Sequence, residues 1–131
     1  MDAEAAIEEY LRRVWGDDEV ATEDAFTVVR KTLYPALRAH GDQDDLLLHI
    51  AIFHEVVSEE FHLALTFFDR MAVHDGFDRV YHRARCLAQI NRRDEALACI
   101  DGSGHGQDAE MVALREEIRT GHWARIDDDE D

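Results

Sequence analysis

The sequence predicts an all-α fold of about seven helices with no sheet, and three observations lead to this prediction. Apolar residues recur at spacings of three and four, which is the period of a helix that buries one face. The seven glycines follow these stretches, where a residue that tolerates positive φ ends a helix. No segment alternates apolar and polar residues for long enough to indicate a strand. At 131 residues, the chain is expected to form one domain over residues 1–126.

The first two predicted helices form an N-terminal pair over residues 3–39. The first helix carries one apolar stripe, made of Ala3, Ala6, Ile7, Tyr10, Leu11 and Val14. The second carries a stripe from Ala25 to Leu37. Pro35, the only proline, lies inside this second stripe and has no backbone N–H, so a kink or break is expected near Tyr34.

Five further helices are predicted in the rest of the chain. Their expected ranges are about 44–57, 59–72, 78–90, 94–101 and 108–120. The tail at residues 127–131 is a run of like charges with nothing to bury, and it is expected to be disordered.

Two stretches that lie thirty-two residues apart carry the same signature. Each has an Ala-Leu pair, a large apolar residue four positions after the alanine, and then an aspartate. These residues are Ala64, Leu65, Phe68 and Asp69 in the first stretch and Ala96, Leu97, Ile100 and Asp101 in the second. A repeated two-helix unit predicts a stacked architecture.

Residues 45–103 resemble the tetratricopeptide repeat (TPR) family, in which a 34-residue unit folds as helix A, a tight turn and helix B. In the second unit, residues 77–103, Ala84 and Ala96 match the small positions of helices A and B, and Asn91 matches the turn glycine. The first unit, residues 45–76, departs from the pattern at Glu55, where a large apolar residue is usual. The resemblance implies an α-solenoid of helical hairpins, capped by a helix at residues 107–121. The alternative is a compact helical bundle without repeats.

The chain is strongly acidic, with 30 acidic and 14 basic residues and a formal net charge of −16. This balance argues against a nucleic-acid partner, because binding to a phosphate backbone requires a basic surface. Two explanations of the acidity stay open. One is adaptation to a high-salt cell interior, and the other is a GC-rich genome, which favours Arg over Lys, combined with ordinary acidity.

Hydropathy and the termini point to a cytoplasmic protein without a membrane partner. No apolar run approaches the roughly 20 residues of a membrane span. The N-terminus is acidic where a secretion signal would be basic. Cys86 and Cys99 lie in apolar helical patterns and are expected to be buried, reduced thiols.

One positive segment interrupts the acidic chain. Residues 77–93 contain a single acidic residue and five arginines, which we call the arginine cluster: Arg79, Arg83, Arg85, Arg92 and Arg93. Such a cluster could hold an acidic partner segment. Alternatively, the acidic tail could fold back over Arg79, Arg83 and Arg92.

The TPR resemblance also implies where a partner would bind. In that family the A helices line a concave groove, and this gives groove positions to His49, Phe53, Tyr81, Arg85 and Gln89. Tyr81 and Arg85 share one helical face and would anchor an acidic segment, with Arg79 and Arg83 beside them. Replacing Tyr81 and Arg85 by Ala is expected to abolish binding at a cost below about 1 kcal/mol of stability. The alternative is that these side chains are ordinary helix surface.

Motifs for catalysis and for metal binding are incomplete. His82 and Cys86 have a workable spacing for two zinc ligands, but no second pair accompanies them. The Gly-rich segment at residues 101–106 lacks the Lys and Ser/Thr of a P-loop. We therefore expect no enzyme activity, no cofactor and no metal.

The predicted function is a non-enzymatic module or scaffold that binds a peptide or a partner protein in the groove. The alternative from another class is an acidic inhibitor or decoy, such as a nucleic-acid mimic or immunity-type protein, that acts through its −16 charge. A decoy would lose affinity steeply with added salt. A third alternative is a helical subunit that self-associates through an exposed hairpin face.

Overall fold

The computed structural model describes residues 2–16 and 22–123, except for the side chains of residues 22–24. Eight α-helices and one π-helical turn make up most of these residues. They are α1 Ala3–Tyr10, which continues into the π-helical turn Leu11–Trp15, α2 Thr22–Lys31, α3 Leu33–His40, α4 Asp44–Val56, α5 Phe61–Arg70, α6 Phe77–Gln89, α7 Arg93–Asp101 and α8 Ala109–Arg119.

The all-α prediction is confirmed, since residues 2–16 and 22–123 contain no strand. Within those same residues, every helix is too short or too polar to cross a membrane. The predicted disorder of the acidic tail, residues 127–131, lies outside the described residues.

The second predicted helix is divided into α2 and α3, and the division lies at Thr32 rather than near Tyr34. Pro35 is the third residue of α3, where N–H groups have no intrahelical partner, so its missing N–H costs no bond. In a continuous helix its ring would clash with the carbonyl of Lys31, four residues earlier, and the chain breaks just after that residue. The Thr32 hydroxyl donates to the Val28 carbonyl at 2.7 Å across the junction. The N-terminal region therefore contains three helices instead of the predicted pair.

The other helices form two hairpins in succession. α4 packs on α5, α6 packs on α7, and α5 packs on α6 to join the hairpins. Contacts of α4 with α6 and of α6 with α8 place these three helices next to one another in turn. α8 closes one end by packing on α6 and α7, while α1 and α3 pack on α4 at the other end.

The repeated signature lies in the second helix of each hairpin. Ala64 and Phe68 of α5 have no exposed surface, and neither have Ala96 and Ile100 of α7. A small residue beside a large apolar one lets two helices approach closely while the core stays filled. The signature therefore reports packing within the hairpins.

Both hairpin turns contain a non-glycine residue in the left-handed conformation. Glu59, with φ 55°, lies between α4 and α5, and Asn91, with φ 62°, lies between α6 and α7. After Asn91, the N–H of Arg92 donates to the Leu87 carbonyl at 2.9 Å, which satisfies one carbonyl at the end of α6. A left-handed Asn91 agrees with the turn-glycine position that the resemblance implies.

The prediction that a glycine ends a helix is wrong for Gly76. Gly76 precedes α6 as its N-terminal cap residue, with φ −67° and ψ 143°, instead of ending a helix. Gly41 and Gly121 follow α3 and α8 with positive φ, as a helix-ending glycine does.

Candidate functional site

Two of the predicted groove residues are buried. Phe53 of α4 is 0% exposed, because Tyr10 of α1 and Phe26 of α2 cover it, with ring centroids 6.2 Å and 5.3 Å away. Gln89 is 7% exposed, and its Nε2 donates to a carbonyl of its own helix at 3.2 Å. The apolar side of α4 needs cover from water, and α1 and α2 provide it. The prediction that Phe53 and Gln89 present themselves to a partner is therefore wrong.

His49 keeps a half-buried place beside the N-terminal helix. Its ring lies 6.1 Å from that of Tyr10, and it lines an open cleft of about 510 Å³ between α1 and α4. Burial lowers the pKa of His49, and the carboxylates of Asp45 and Asp78 oppose part of this shift. A neutral imidazole at pH 7 can donate or accept a hydrogen bond at this position.

Arg79 of the arginine cluster is a structural residue. It is buried, and it donates to the carbonyls of Phe68 and His74, both at 2.9 Å. The first of these bonds gives a second donor to the Phe68 carbonyl near the C-terminus of α5, which also accepts from the N–H of Met71 at 3.3 Å. Burial lowers the pKa of Arg79, although a guanidinium stays charged at neutral pH. Arg79 is thus not available to an acidic partner, contrary to the prediction.

The rest of the arginine cluster also has partners within the chain. Arg83 donates to the Asp69 carboxylate at 2.9 Å. Arg92 donates two hydrogen bonds, at 2.8 Å and 2.6 Å, to the carboxylate three residues later. Arg93 donates to the carbonyl of Arg119 at 3.2 Å. The members of the cluster, including Arg83, therefore have partners within the chain instead of forming a set of free cations.

A buried carboxylate joins α4 to α6. Glu55 is 2% exposed; its Oε1 lies 2.8 Å from His82 Nδ1, and its Oε2 lies 3.2 Å from Arg85 Nη2. Within the described residues, Glu55 Oε2 and Arg85 Nε have no hydrogen-bond partner. Removing Arg85 would leave a buried carboxylate with His82 alone, so the structure favours a larger stability cost than the sequence predicts for replacing Tyr81 and Arg85. In the sequence, this contact is indicated by one acidic residue, Glu55, on the apolar side of α4.

Tyr81 and Arg85 belong to a row of half-buried side chains along α6. The rings of Phe77 and Tyr81 stack with centroids 5.8 Å apart and planes at 18°. The guanidinium of Arg85 lies 5.7 Å from the Tyr81 ring centroid and 4.6 Å from that of Trp123, which follows α8. We call Phe77, Tyr81, Arg85 and Trp123 the α6 row. Tyr81 and Arg85 come together as predicted, while Phe77 and Trp123 were missed.

His82 and Cys86, whose spacing would suit two zinc ligands, contact different groups. His82 contacts Glu55, whereas the Sγ of Cys86 lies 3.9 Å from the carbonyl of Phe61 in the core. Within residues 2–16 and 22–123, no three or more His, Cys, Asp or Glu side chains are arranged to hold a metal ion.

A second cleft, which sequence reasoning missed, opens between α2, α3 and α4. It has a volume of about 440 Å³. We call it the α2–α4 cleft, and its lining residues are Phe26, Val29, Arg30, Tyr34, Arg38 and His54. The sequence does contain a pattern that indicates this cleft, since aromatic and arginine residues alternate at every fourth position, at 26, 30, 34 and 38.

His54 anchors the inner side of this cleft. Its Nε2 lies 2.7 Å from the Tyr34 hydroxyl, and its Nδ1 lies 3.0 Å from Ser58 Oγ and 3.3 Å from Glu60 Oε1. The ring stacks on Phe67 with centroids 5.8 Å apart and planes at 14°. Burial lowers the pKa of His54, and the Glu60 carboxylate opposes part of the shift.

Comparison with protein-family models, with curated proteins and with solved structures finds no match to this chain.

Proposed function

We propose that the chain is a non-enzymatic, TPR-like α-solenoid that holds a segment of a partner protein against the α6 row. The observation that carries the proposal is the row itself, in which three aromatic rings and one guanidinium lie against one another and are half buried. Aromatic and arginine side chains contribute most of the binding energy at many protein interfaces. Such rings offer a large apolar area at a small cost in side-chain entropy.

The proposed partner segment is apolar rather than acidic at this surface. The charge of Arg85 is already compensated by Glu55, and the other members of the arginine cluster have partners within the chain. A guanidinium held by a buried carboxylate keeps one orientation, so the rings beside it are preorganised for a ligand. We therefore expect the row to select aromatic and aliphatic side chains.

The order of contacts supports the solenoid part of the proposal. Consecutive contacts of α4 with α6 and of α6 with α8 resemble the succession of A helices in a repeat array. The left-handed residues Glu59 and Asn91 lie thirty-two positions apart, which is also the spacing of the Ala-Leu signatures.

The function is tested by selecting peptide ligands and measuring them on variants. Trp15→Phe leaves Trp123 as the only tryptophan, so its fluorescence reports directly on the α6 row. Peptides selected from a random display library on this protein should change that fluorescence on binding. Tyr81→Ala should then weaken binding by at least about ten-fold, because a buried anchor is lost.

Leu63→Ala is the matched control, since it removes an exposed apolar side chain from α5. It should leave the affinity within about two-fold of the parent. If Tyr81→Ala retains its circular dichroism spectrum and binds every selected peptide as well as the parent does, the α6 row is not the binding surface.

The salt dependence separates this proposal from the acidic decoy. A charge-driven decoy loses affinity by orders of magnitude as salt is raised, whereas binding to apolar side chains changes little. Self-association, the third alternative, would appear as a concentration-dependent mass in sedimentation.

A further inference from the structure

The arginines of the α2–α4 cleft differ from most of the other arginines in the part of the chain that the structure describes. Arg30 and Arg38 are exposed, and within the described residues neither makes an ion pair with a carboxylate. Most of the remaining arginines pair with an acid, as Arg70 does with Asp42 and Arg115 does with Asp101. In a chain with 30 acidic residues, two such cations at one cleft are an unusual local charge.

The inner side of the cleft is apolar and aromatic. Phe26 and Val29 form part of it, and the guanidinium of Arg30 lies 5.9 Å from the Phe26 ring centroid. Tyr34 and His54 complete it, and the hydrogen bond between them fixes both rings. The volume of about 440 Å³ falls within the range of roughly 300–1,000 Å³ that ligand pockets occupy.

This combination selects for two features in a ligand. An apolar surface of this size accommodates a leucine or phenylalanine side chain, whose burial removes apolar area from water. Guanidinium groups without an internal partner form charge-assisted hydrogen bonds with carboxylates, often with two parallel N–H groups. At physiological salt the Debye length is about 8 Å, so Arg30 and Arg38 act on the ligand more strongly than acidic residues beyond that distance do. The carboxylate of Glu60 lies close to the cleft, and it is 3.3 Å from His54 Nδ1 on the inner side.

We propose that the α2–α4 cleft binds a short segment of a partner protein in which one apolar side chain is flanked by carboxylates. The apolar side chain enters between Phe26 and Tyr34, and the carboxylates meet Arg30 and Arg38. An acidic ligand is therefore expected at this cleft and not at the arginine cluster, whose members have partners within the chain. The site uses α2, α3 and α4 and does not depend on the α6 row.

The test uses fluorescein-labelled heptapeptides with a central phenylalanine flanked on both sides by glutamate. Fluorescence anisotropy at about 0.15 M salt should show saturable binding. Replacing the flanking glutamates by glutamines, or the central phenylalanine by alanine, should each weaken binding by about ten-fold or more, as expected for losing a charged hydrogen bond or a buried apolar side chain.

Arg30→Gln and Arg38→Gln should each weaken binding to a similar extent. Lys31→Gln is the matched control, because it removes the same charge from the neighbouring exposed position but does not line the cleft. Equal losses in all three variants would mean a general effect of net charge and would overturn the site. Equal binding of the glutamate and glutamine peptides would overturn the role of the carboxylates.

Two other occupants are distinguished by the same proteins. If free phenylacetate binds as tightly as the peptide, the cleft is a site for a small acid and the proposal is wrong. If wild type dimerises in sedimentation and Arg38→Gln does not, the occupant is a second copy of this chain, which also contradicts the proposal.

Discussion

The guanidinium of Arg85 lies 3.2 Å from the carboxylate of Glu55, across the contact between α4 and α6. The Glu55 side chain is almost completely buried, and that of Arg85 is about one-fifth exposed. Charges held in this way stabilise the fold only as a set, because losing one partner leaves another charge buried and uncompensated. Arg85 therefore holds two helices together as well as taking part in the α6 row.

The first prediction concerns the stability of this pair. Arg85→Ala should lower the free energy of unfolding by about 3 kcal/mol, because Glu55 would stay buried with His82 as its only basic partner. Glu55→Leu combined with Arg85→Leu should recover most of the loss, since apolar residues of similar size avoid the desolvation cost. Urea denaturation of both proteins measures the difference.

Arg115→Ala is the control for this experiment, since it removes an arginine from an exposed pair with Asp101. It should leave stability almost unchanged. If Arg85→Ala is no more destabilising than Arg115→Ala, the contact with Glu55 contributes nothing to the fold.

The second prediction concerns the left-handed turn residue Asn91. An L-residue with a Cβ is strained at φ 62°, while glycine is not. Asn91→Gly should therefore be more stable than Asn91→Ala by about 1 kcal/mol. Both variants lose the carboxamide group of the asparagine. The difference between their free energies of unfolding therefore reports the strain of placing a Cβ at this positive φ.

The order of stability of the glycine and alanine variants should be reversed in the middle of a helix. At Thr66, an exposed position of α5, Ala should be more stable than Gly by about 1 kcal/mol. Thermal unfolding of the four variants tests both signs. The same preference for alanine at position 91 would contradict the left-handed turn.

The sequence predicts the helices well because their causes are local. Apolar spacing and the residues that end helices act within a few positions, and each predicted helix from residue 44 onward lies within a few residues of its observed bounds. The break after α2 was misplaced for a local reason too. The ring of Pro35 acts on the carbonyl four residues earlier, so the chain turns at Thr32 and not at Tyr34.

The binding surface was predicted less well because its causes are not local. The apolar face of α4 predicts that Phe53 packs on something, but it does not reveal that Tyr10 and Phe26 cover it. Likewise, the number of arginines in a segment gives the sign of its charge, but it does not reveal which groups of the chain those arginines contact. Glu55 meets His82 twenty-seven positions away, through the packing of α4 on α6.

The third prediction concerns the thiols. Burial raises the pKa of the Cys86 thiol, and the nearby Glu55 carboxylate raises it further. The predicted burial of Cys86 is confirmed, whereas Cys99 is only half buried. A thiol reagent at pH 8 should therefore leave Cys86 unmodified in the folded protein and should modify it in urea. Mass spectrometry of the labelled protein identifies the site, and rapid native labelling of Cys86 would contradict its burial.

The fourth prediction concerns pH. Burial holds the pKa of His54 below its ordinary value of 6.5, so the folded protein binds a proton at this ring less readily than the unfolded chain does. As the pH falls below about 6.5, the unfolded state takes up protons first and gains stability relative to the folded state. The free energy of unfolding should therefore decrease between pH 7 and pH 5.5.

His54→Gln separates the contribution of this ring from those of other groups. The variant loses the hydrogen bonds to Tyr34 and Ser58, so it should be less stable at pH 7. It also loses the titrating group, so its stability should depend less on pH between 7 and 5.5 than that of the wild type. The remaining dependence of stability on pH should decrease again in His54→Gln combined with His49→Gln, because burial lowers the pKa of His49 as well. Identical slopes in the wild type and His54→Gln would mean that the His54 ring is protonated equally in the folded and unfolded states.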